Sequence, residues 1–307
     1  MEGVILGFAT IIAVIGVGAL IAHLGVVDLS AQKVLSHLAF FVASPALLLT
    51  TVAKADTHDV LSRSLVATAV GVVVPATLYV VVAWWRWRRS VGERVIGALA
   101  SSYVNAGNLG LPVAAYVLGD AALVAPTLLM QLLVLQPVAL AVLDADVRGR
   151  RPSVVDVLLR PFTNPLTIGT LIGLLLSVTG WQLPQIVLDP IELIGAMAVP
   201  GMLLAYGIAL RLGPGFGGEV PAAELALTST LKLAAQPLVA YVVAHLVLGL
   251  DGHTLLAVVV CSSLPTAQNI FVHATRYDRS PTLARDTILV TTIGAVPLIT
   301  LVVWLLG

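Results

Sequence analysis

One cysteine, Cys261, stands in the whole chain, so no intrachain disulfide can form. Charge is nearly as scarce: Asp, Glu, Lys and Arg make up 10% of the residues, against about 25% in an ordinary soluble domain. With so few charges and 59% hydrophobic residues, the chain cannot cover a water-facing surface, and lipid must be its solvent. Neither sign is in excess, since 16 basic side chains balance 16 acidic ones. A neutral chain lacks the global field that nucleic-acid binding calls for. No Gly-x-x-x-x-Gly-Lys-Ser/Thr run is present to cradle a nucleoside triphosphate, and no His-Glu-x-x-His to hold zinc. No cofactor, metal or nucleic-acid partner is therefore expected.

What the chain has instead is long apolar runs. A helix needs about 20 apolar residues to cross a bilayer. Ten such stretches are expected near 4–22, 36–53, 62–85, 95–118, 121–143, 164–179, 187–210, 221–248, 254–275 and 283–306. The first is preceded by Glu2 and holds no Lys or Arg, the wrong flank for a cleaved signal peptide, so it reads as a retained helix. The longest polar stretch lies between the fifth and sixth. It divides the chain into a five-helix repeat at 1–143, a cytoplasmic linker at 144–163 and a second five-helix repeat at 164–307.

The two halves read as copies. Pro45 and Pro200 sit in the second stretch of each half, Pro75 and Pro237 in the third, Pro112 and Pro265 in the fourth, Pro137 and Pro297 in the fifth, at separations of 153 to 162 residues. Five is odd, so the second copy enters from the opposite side and the repeat is inverted, as in many secondary transporters. The expected fold class is an all-α polytopic membrane protein with ten transmembrane helices in two inverted repeats.

Loop charge sets the orientation. With the N-terminus outside, thirteen Lys and Arg fall on inner loops, from Lys33 through Arg86–Arg94 and Arg148–Arg160 to Arg285, and only Lys54 and Arg63 on outer ones. Cytoplasmic loops carry the excess of Lys and Arg, so both termini are expected outside a cell membrane. Trp84, Trp85 and Trp87 beside the arginine cluster suit an interfacial belt.

Two stretches interrupt otherwise apolar helices at matching places, the fourth and the ninth. These are Asn105-Ala-Gly-Asn-Leu-Gly-Leu-Pro112 and Leu264-Pro-Thr-Ala-Gln-Asn269. Paired Gly/Pro-interrupted segments in corresponding positions point to a transporter's binding site. A helix that stops inside the membrane leaves N–H and C=O groups without partners, and its N-terminus carries partial positive charge suited to carboxylates or phosphates. Asn105, Gly107, Asn108 and Gly110 around Pro112, with Pro265, Thr266, Gln268 and Asn269, would line a small polar chamber if the breaks meet. Gly and Pro also permit close helix packing with amides bonding between helices. That reading fits either break alone better than it fits two at equivalent positions.

Lys232 is the ionisable side chain set deepest in a span. Such a charge costs about 2.5–3.5 kcal/mol on insertion scales and marks functional sites by default. It reads as bundle-facing, with an anionic substrate, a helix C-terminal end or a side chain of the breaks as partner. Glu192, Glu224 and His273 fall near span ends and read as interfacial. Gly119-Asp120 and Tyr277-Asp278 lie in loops on opposite faces of the expected topology, so these aspartates cannot share a proton as a protease pair, and no enzyme is expected.

The run Ser102-Tyr-Val-Asn-Ala-Gly-Asn-Leu-Gly-Leu-Pro112 resembles the Asn…Gly-hydrophobic-Pro signature of the auxin efflux carrier family, which includes plant PIN-formed carriers and prokaryotic dicarboxylate permeases. Leu264-Pro-Thr-Ala through Tyr277, Thr291-Thr292 and Pro297-Leu298 resemble its C-terminal signature, and Pro45-Ala-Leu-Leu-Leu, Asn164-Pro165 and Lys232 before Pro237 fit as well. The resemblance covers nearly the whole chain. It implies ten helices in two inverted repeats, a fold shared with bile-acid sodium symporters. It also implies a scaffold of helices 1, 2, 6 and 7, a moving part of helices 3–5 and 8–10, and a homodimer. Asn105 matches a substrate-contacting asparagine of the plant carriers, and Pro112 and Pro265 match their crossover prolines. The long central hydrophilic segment of many plant carriers is here only about twenty residues, so the resemblance does not extend to their phosphorylation control or to auxin as substrate.

The resulting expectation is a secondary carrier of a small organic anion, a mono- or dicarboxylate, working by elevator-type alternating access in the lipid bilayer. Without a nucleotide site, energy must come from gradients, with proton and sodium as candidate coupling ions. A symporter of larger, bile-acid-like anions and an anion channel stay open as alternatives.

Overall fold

In lipid, every backbone N–H and C=O must be satisfied within its own segment or against buried protein, and the chain answers with helices. The computed structural model describes residues 2–54, 63–110, 113–119, 121–149, 165–213 and 220–307. Pro112, Asp120 and most of the central linker lie outside them. The helices are α1 (Glu2–His23), α2 (Leu29–Ala53), α3 (Arg63–Arg86), α4 (Val91–Ser102), α5 (125–148), α6 (Pro165–Thr179), α7 (Gln185–Leu212), α8 (Ala222–Val247), α9 (Gly252–Ser263), α10 (Asn269–Tyr277) and α11 (Pro281–Leu306). No strand occurs among the described residues. Five helices, α2, α3, α7, α8 and α11, are long and apolar enough to cross a membrane, and α1 and α9 contribute shorter apolar segments.

Proline shapes three of these helices in one way. Five-residue π turns at Ala39–Ala43, Gln131–Leu135 and Leu231–Ala235 each run directly into a residue–proline pair, Ser44-Pro45, Gln136-Pro137 and Gln236-Pro237. A proline inside a helix has no N–H to donate, and its ring collides with the carbonyl four residues back. Widening the preceding turn moves that carbonyl aside, and such π bulges occur often at functional sites. The third contains Lys232.

Contacts divide the chain into two compact units. One comprises Thr10–Val60 and Leu129–Pro214. Within it, α6 lies against α2 through Gly169 and Gly173. A Cβ on Gly169 would collide with the Pro45 carbonyl, and one on Gly173 would lie 2.6 Å from that of Leu49. Small residues one turn apart allow such close backbone approach where lipid supplies no hydrophobic drive.

The other unit comprises Met1–Ala9, Leu61–Leu128 and Gly215–Gly307. It holds α3, α4 and α8–α11. The fifth stretch, which the resemblance groups with the third and fourth, falls from Leu129 onward in the first-described unit, where its π turn packs on α6. In the second unit Tyr79, Ala83, Leu231 and Leu283 form a buried cluster with Trp87 against it, while Trp84 and Trp85 stay exposed.

Three residues read as peripheral prove buried. Glu224 is fully buried, accepting from the Tyr79 hydroxyl at 2.8 Å and from Arg89 Nη2 at 2.5 Å. A carboxylate enters an interior only with such partners, and Arg89 supplies them from the loop between α3 and α4. His273 is buried on α10. Arg285, counted with the inner loops, lies buried in the first turns of α11 and pairs with Asp286 at 2.7 Å. Glu192 does lie at the surface, 2.8 Å from Lys54.

Candidate functional site

The site is built where α4 and α9 stop. α9 ends because Leu264 precedes Pro265, and a residue before proline is driven out of the helical region; its φ and ψ are −58° and 147°. α4 begins with a capping box of Ser90 and Glu93 and ends at Ser102, with Tyr103 extended at φ −82°, ψ 109°. The first break thus falls at residues 103–105, ahead of the Gly-Pro part of its motif.

The two extended segments cross antiparallel and pair. Val104 and Thr266 form a β bridge. The Asn105 N–H donates to the Pro265 carbonyl at 2.8 Å, and the Ala267 N–H donates to the Tyr103 carbonyl at 3.1 Å. Each break therefore satisfies backbone groups that the other leaves open, as a non-helical backbone in lipid requires. Side chains reinforce the crossing. Asn105 Nδ2 donates to Gln268 Oε1 at 2.7 Å, and both residues are buried. The Thr266 hydroxyl donates to the Ala100 carbonyl at 2.5 Å, while the Thr266 N–H donates to Thr291 Oγ1 at 3.1 Å. Tyr103 and Asn269 hydrogen-bond through their side chains.

Lys232, in the π turn of α8, is fully buried and donates from Nζ to the Ser262 carbonyl at 3.2 Å. That carbonyl belongs to the last turn of α9, the negative end of a helix dipole. Of the three partners open to this lysine, the helix C-terminal end is therefore the one it contacts. Gln236, one turn on, donates from Nε2 to the Ser102 carbonyl at 2.9 Å. Its own Oε1 and the Ser262 hydroxyl are buried without a partner among the described residues. Buried polar atoms left this way call for a ligand, ion or water.

The structure thus brings Asn105, Pro265, Thr266, Gln268 and Asn269 together at one crossing, with Lys232 bonded to the end of α9. Gly110 is there as a packing residue, since a Cβ on it would lie 2.7 Å from Val124 and 3.1 Å from Leu264. Gly107 meets nothing nearer than Leu128 at 3.8 Å, so its missing side chain leaves space. Asn108 lies in the π turn Ala106–Gly110 that follows the break, and Pro112 is outside the described residues. Gln236, Tyr103 and Thr291 also hold the crossing and were not expected. A glutamine inside an apolar span, four residues from a buried lysine, is the signal that marked Gln236.

The two interrupted helices thus cross beside the buried Lys232 side chain. Comparison with known proteins finds relatives among membrane transporters. Residues 4–144 and 149–305 match the family described as membrane transport protein. The chain is 27% identical over 275 residues, 87% of its own length and 84% of the other's, to a Rhizobium meliloti (strain 1021) protein named "Putative malonate transporter". It is 25% identical over 299 residues, 96% of its length and 95% of the other's, to a protein of Methanothermobacter thermautotrophicus named "Uncharacterized transporter".

Proposed function

This chain belongs to the membrane transport protein family, and on that premise we propose that it is a secondary carrier of a small organic anion, with dicarboxylates of malonate size as the leading substrate class. It is a multi-pass membrane transporter and not an enzyme. The observation that carries the substrate reading is the paired crossing, in which Asn105 and Gln268 meet 2.7 Å apart and Lys232 stands on the end of α9. Amides and an ammonium replace the water that a carboxylate sheds on entering a low-dielectric interior. The name of the Rhizobium relative supports the choice of malonate as first probe.

The carrier works by alternating access of elevator type, with ten spans in two inverted repeats and both termini outside the cell membrane. Matched prolines, matched breaks and the thirteen-to-two loop charge count support that arrangement. The site residues are Asn105, Gly107, Asn108, Gly110, Pro112, Lys232, Pro265, Thr266, Gln268 and Asn269, to which Gln236 is added.

Purified protein screened by thermal unfolding against mono- and dicarboxylates tests this reading. A ligand at 100 times its Kd stabilises by about 2.7 kcal/mol. At least one carboxylate is expected to raise the melting temperature and to show saturating flux with counterflow in proteoliposomes. Absence of any carboxylate binder, or flux that never saturates, would overturn it.

A further inference from the structure

We propose that the coupling ion is a proton carried by the Lys232 amine, taken up with the anion on one side of the membrane and released with it on the other. This rests on the carrier reading above and adds the energy source.

Charge balance over a transport cycle drives the inference. Lys232 is the eleventh residue of α8 and fully buried. Among the described residues, the Ser262 carbonyl is its one polar contact. A carbonyl accepts from an ammonium and, more weakly, from a neutral amine, which keeps two N–H donors. The contact is therefore served in both protonation states and pins the nitrogen in place without fixing its charge. A carrier that returns empty with a bare ammonium would carry an uncompensated charge through the low-dielectric interior, where ions are costly. A carrier that returns with a neutral amine carries none. When a carboxylate docks, the ammonium becomes its counterion, so the loaded form holds anion and proton together. A dianion such as malonate is then moved with one net negative charge rather than two. The nitrogen gains a proton from water on loading and returns it to water on release, with no other bond made or broken.

Among the described residues on the elements that pack against the lysine's turn, no other charged group supplies the balance. On α3, which packs against the lysine's turn, Tyr79 is bonded to Glu224 of α8, and Arg63 and Arg86 stand at the two ends. On α4, Glu93 and Arg94 bond to Arg89 and Ser90. On α9, His253 bonds to the Leu118 carbonyl, and Cys261 is a buried thiol. On α11, Arg285 and Asp286 pair with each other. Further along α8, Tyr241 stacks on His245, which pairs with Asp251. The buried Gln236 Oε1, one turn along α8, and the hydroxyl of Ser262, the residue that Lys232 contacts, are neutral.

The test uses malonate and three proteins, wild type, Lys232→Arg and Lys232→Gln. Calorimetry of malonate binding to wild type at pH 8, in buffers of different ionisation enthalpy, should give close to one proton taken up per anion by linkage. In proteoliposomes, malonate accumulation should rise several-fold with an acid-outside gradient, should ignore a sodium gradient, and should acidify the lumen. Arginine holds its proton throughout. Lys232→Arg should therefore bind malonate without proton uptake, lose gradient-driven accumulation and keep malonate-for-malonate exchange at a reduced rate. That exchange also reports that the variant folds. Lys232→Gln should lose both affinity and proton uptake.

Malonate binding without proton uptake in wild type would overturn the inference and leave the carrier reading standing. Accumulation driven by sodium, or pH-driven accumulation retained in Lys232→Arg, would do the same. If no small carboxylate binds or moves at all, the carrier reading falls and the proton inference with it.

Discussion

Lys232 and Gln236, one turn apart on α8, each hold the end of a different interrupted helix. Lys232 donates to the Ser262 carbonyl in the last turn of α9 at 3.2 Å, and Gln236 donates to the carbonyl of Ser102, the last residue of α4, at 2.9 Å. A single turn of α8 thus reads both breaks at once. The π turn at Leu231–Ala235, forced by Pro237, lies across the same stretch. The proline that is a defect in an ordinary helix serves here to set two donors against two carbonyl ends.

Gln236→Leu removes one of these donors at similar volume and leaves the Ser102 carbonyl buried without it. An unsatisfied buried acceptor costs about 1–3 kcal/mol. The variant is expected to melt at lower temperature in detergent and to bind anions more weakly, because the end of α4 is no longer fixed. A melting curve identical to wild type would mean that the Gln236 contact contributes nothing.

Asn105→Ala and Gln268→Ala should each weaken carboxylate affinity by about 1.5–3 kcal/mol, the range for a hydrogen bond to a charged group. Because the two amides bond to each other at 2.7 Å, the double variant should fall short of the sum of the singles by about 0.5–3 kcal/mol. Normal affinity in both singles would move the site away from the crossing.

Glu93 links stability to pH at the start of α4. Partial burial pushes its carboxyl up, but hydrogen bonds from Ser90 and the charges of Arg89 and Arg279 outweigh this and hold it below its ordinary value. A carboxylate with a lowered folded value adds stability above its unfolded value, about 4.3 for glutamate, and loses it as pH falls through the folded value. Glu93→Gln keeps the cap and removes the charge. It should melt below wild type at pH 7 by a few tenths to about 1 kcal/mol, and the gap should close as pH drops below about 4. A gap that persists in acid would assign the effect to shape.

Topology can be read by labelling from outside the cell. Cys261 is buried, and replacing it with alanine removes any background thiol. Lys54→Cys should react with a membrane-impermeant reagent and Arg148→Cys should not, since the loop charge count places them on opposite faces. The reverse pattern would invert the protein.

Composition and local chemistry alone determined the class of this protein and the place of its two helix breaks. Scarce charge made lipid the solvent, and Leu264 before Pro265 ended α9 where the steric rule for pre-proline residues says it must. Asn105, Gln268 and Lys232 were legible because polar groups in apolar spans are costly and hence few. Only the tertiary structure decided that Val104 meets Thr266, that Lys232 rests on Ser262, and that Glu224 is buried with Tyr79 and Arg89. It also decided that the fifth stretch divides at Leu129, its later part belonging to the unit that holds α6. Asn105 and Gln268 are 163 residues apart, and nothing in either segment encodes the register of the other. Such pairings follow from helices packing so that every buried backbone group and charge finds a partner, a condition on the whole chain that no local stretch carries.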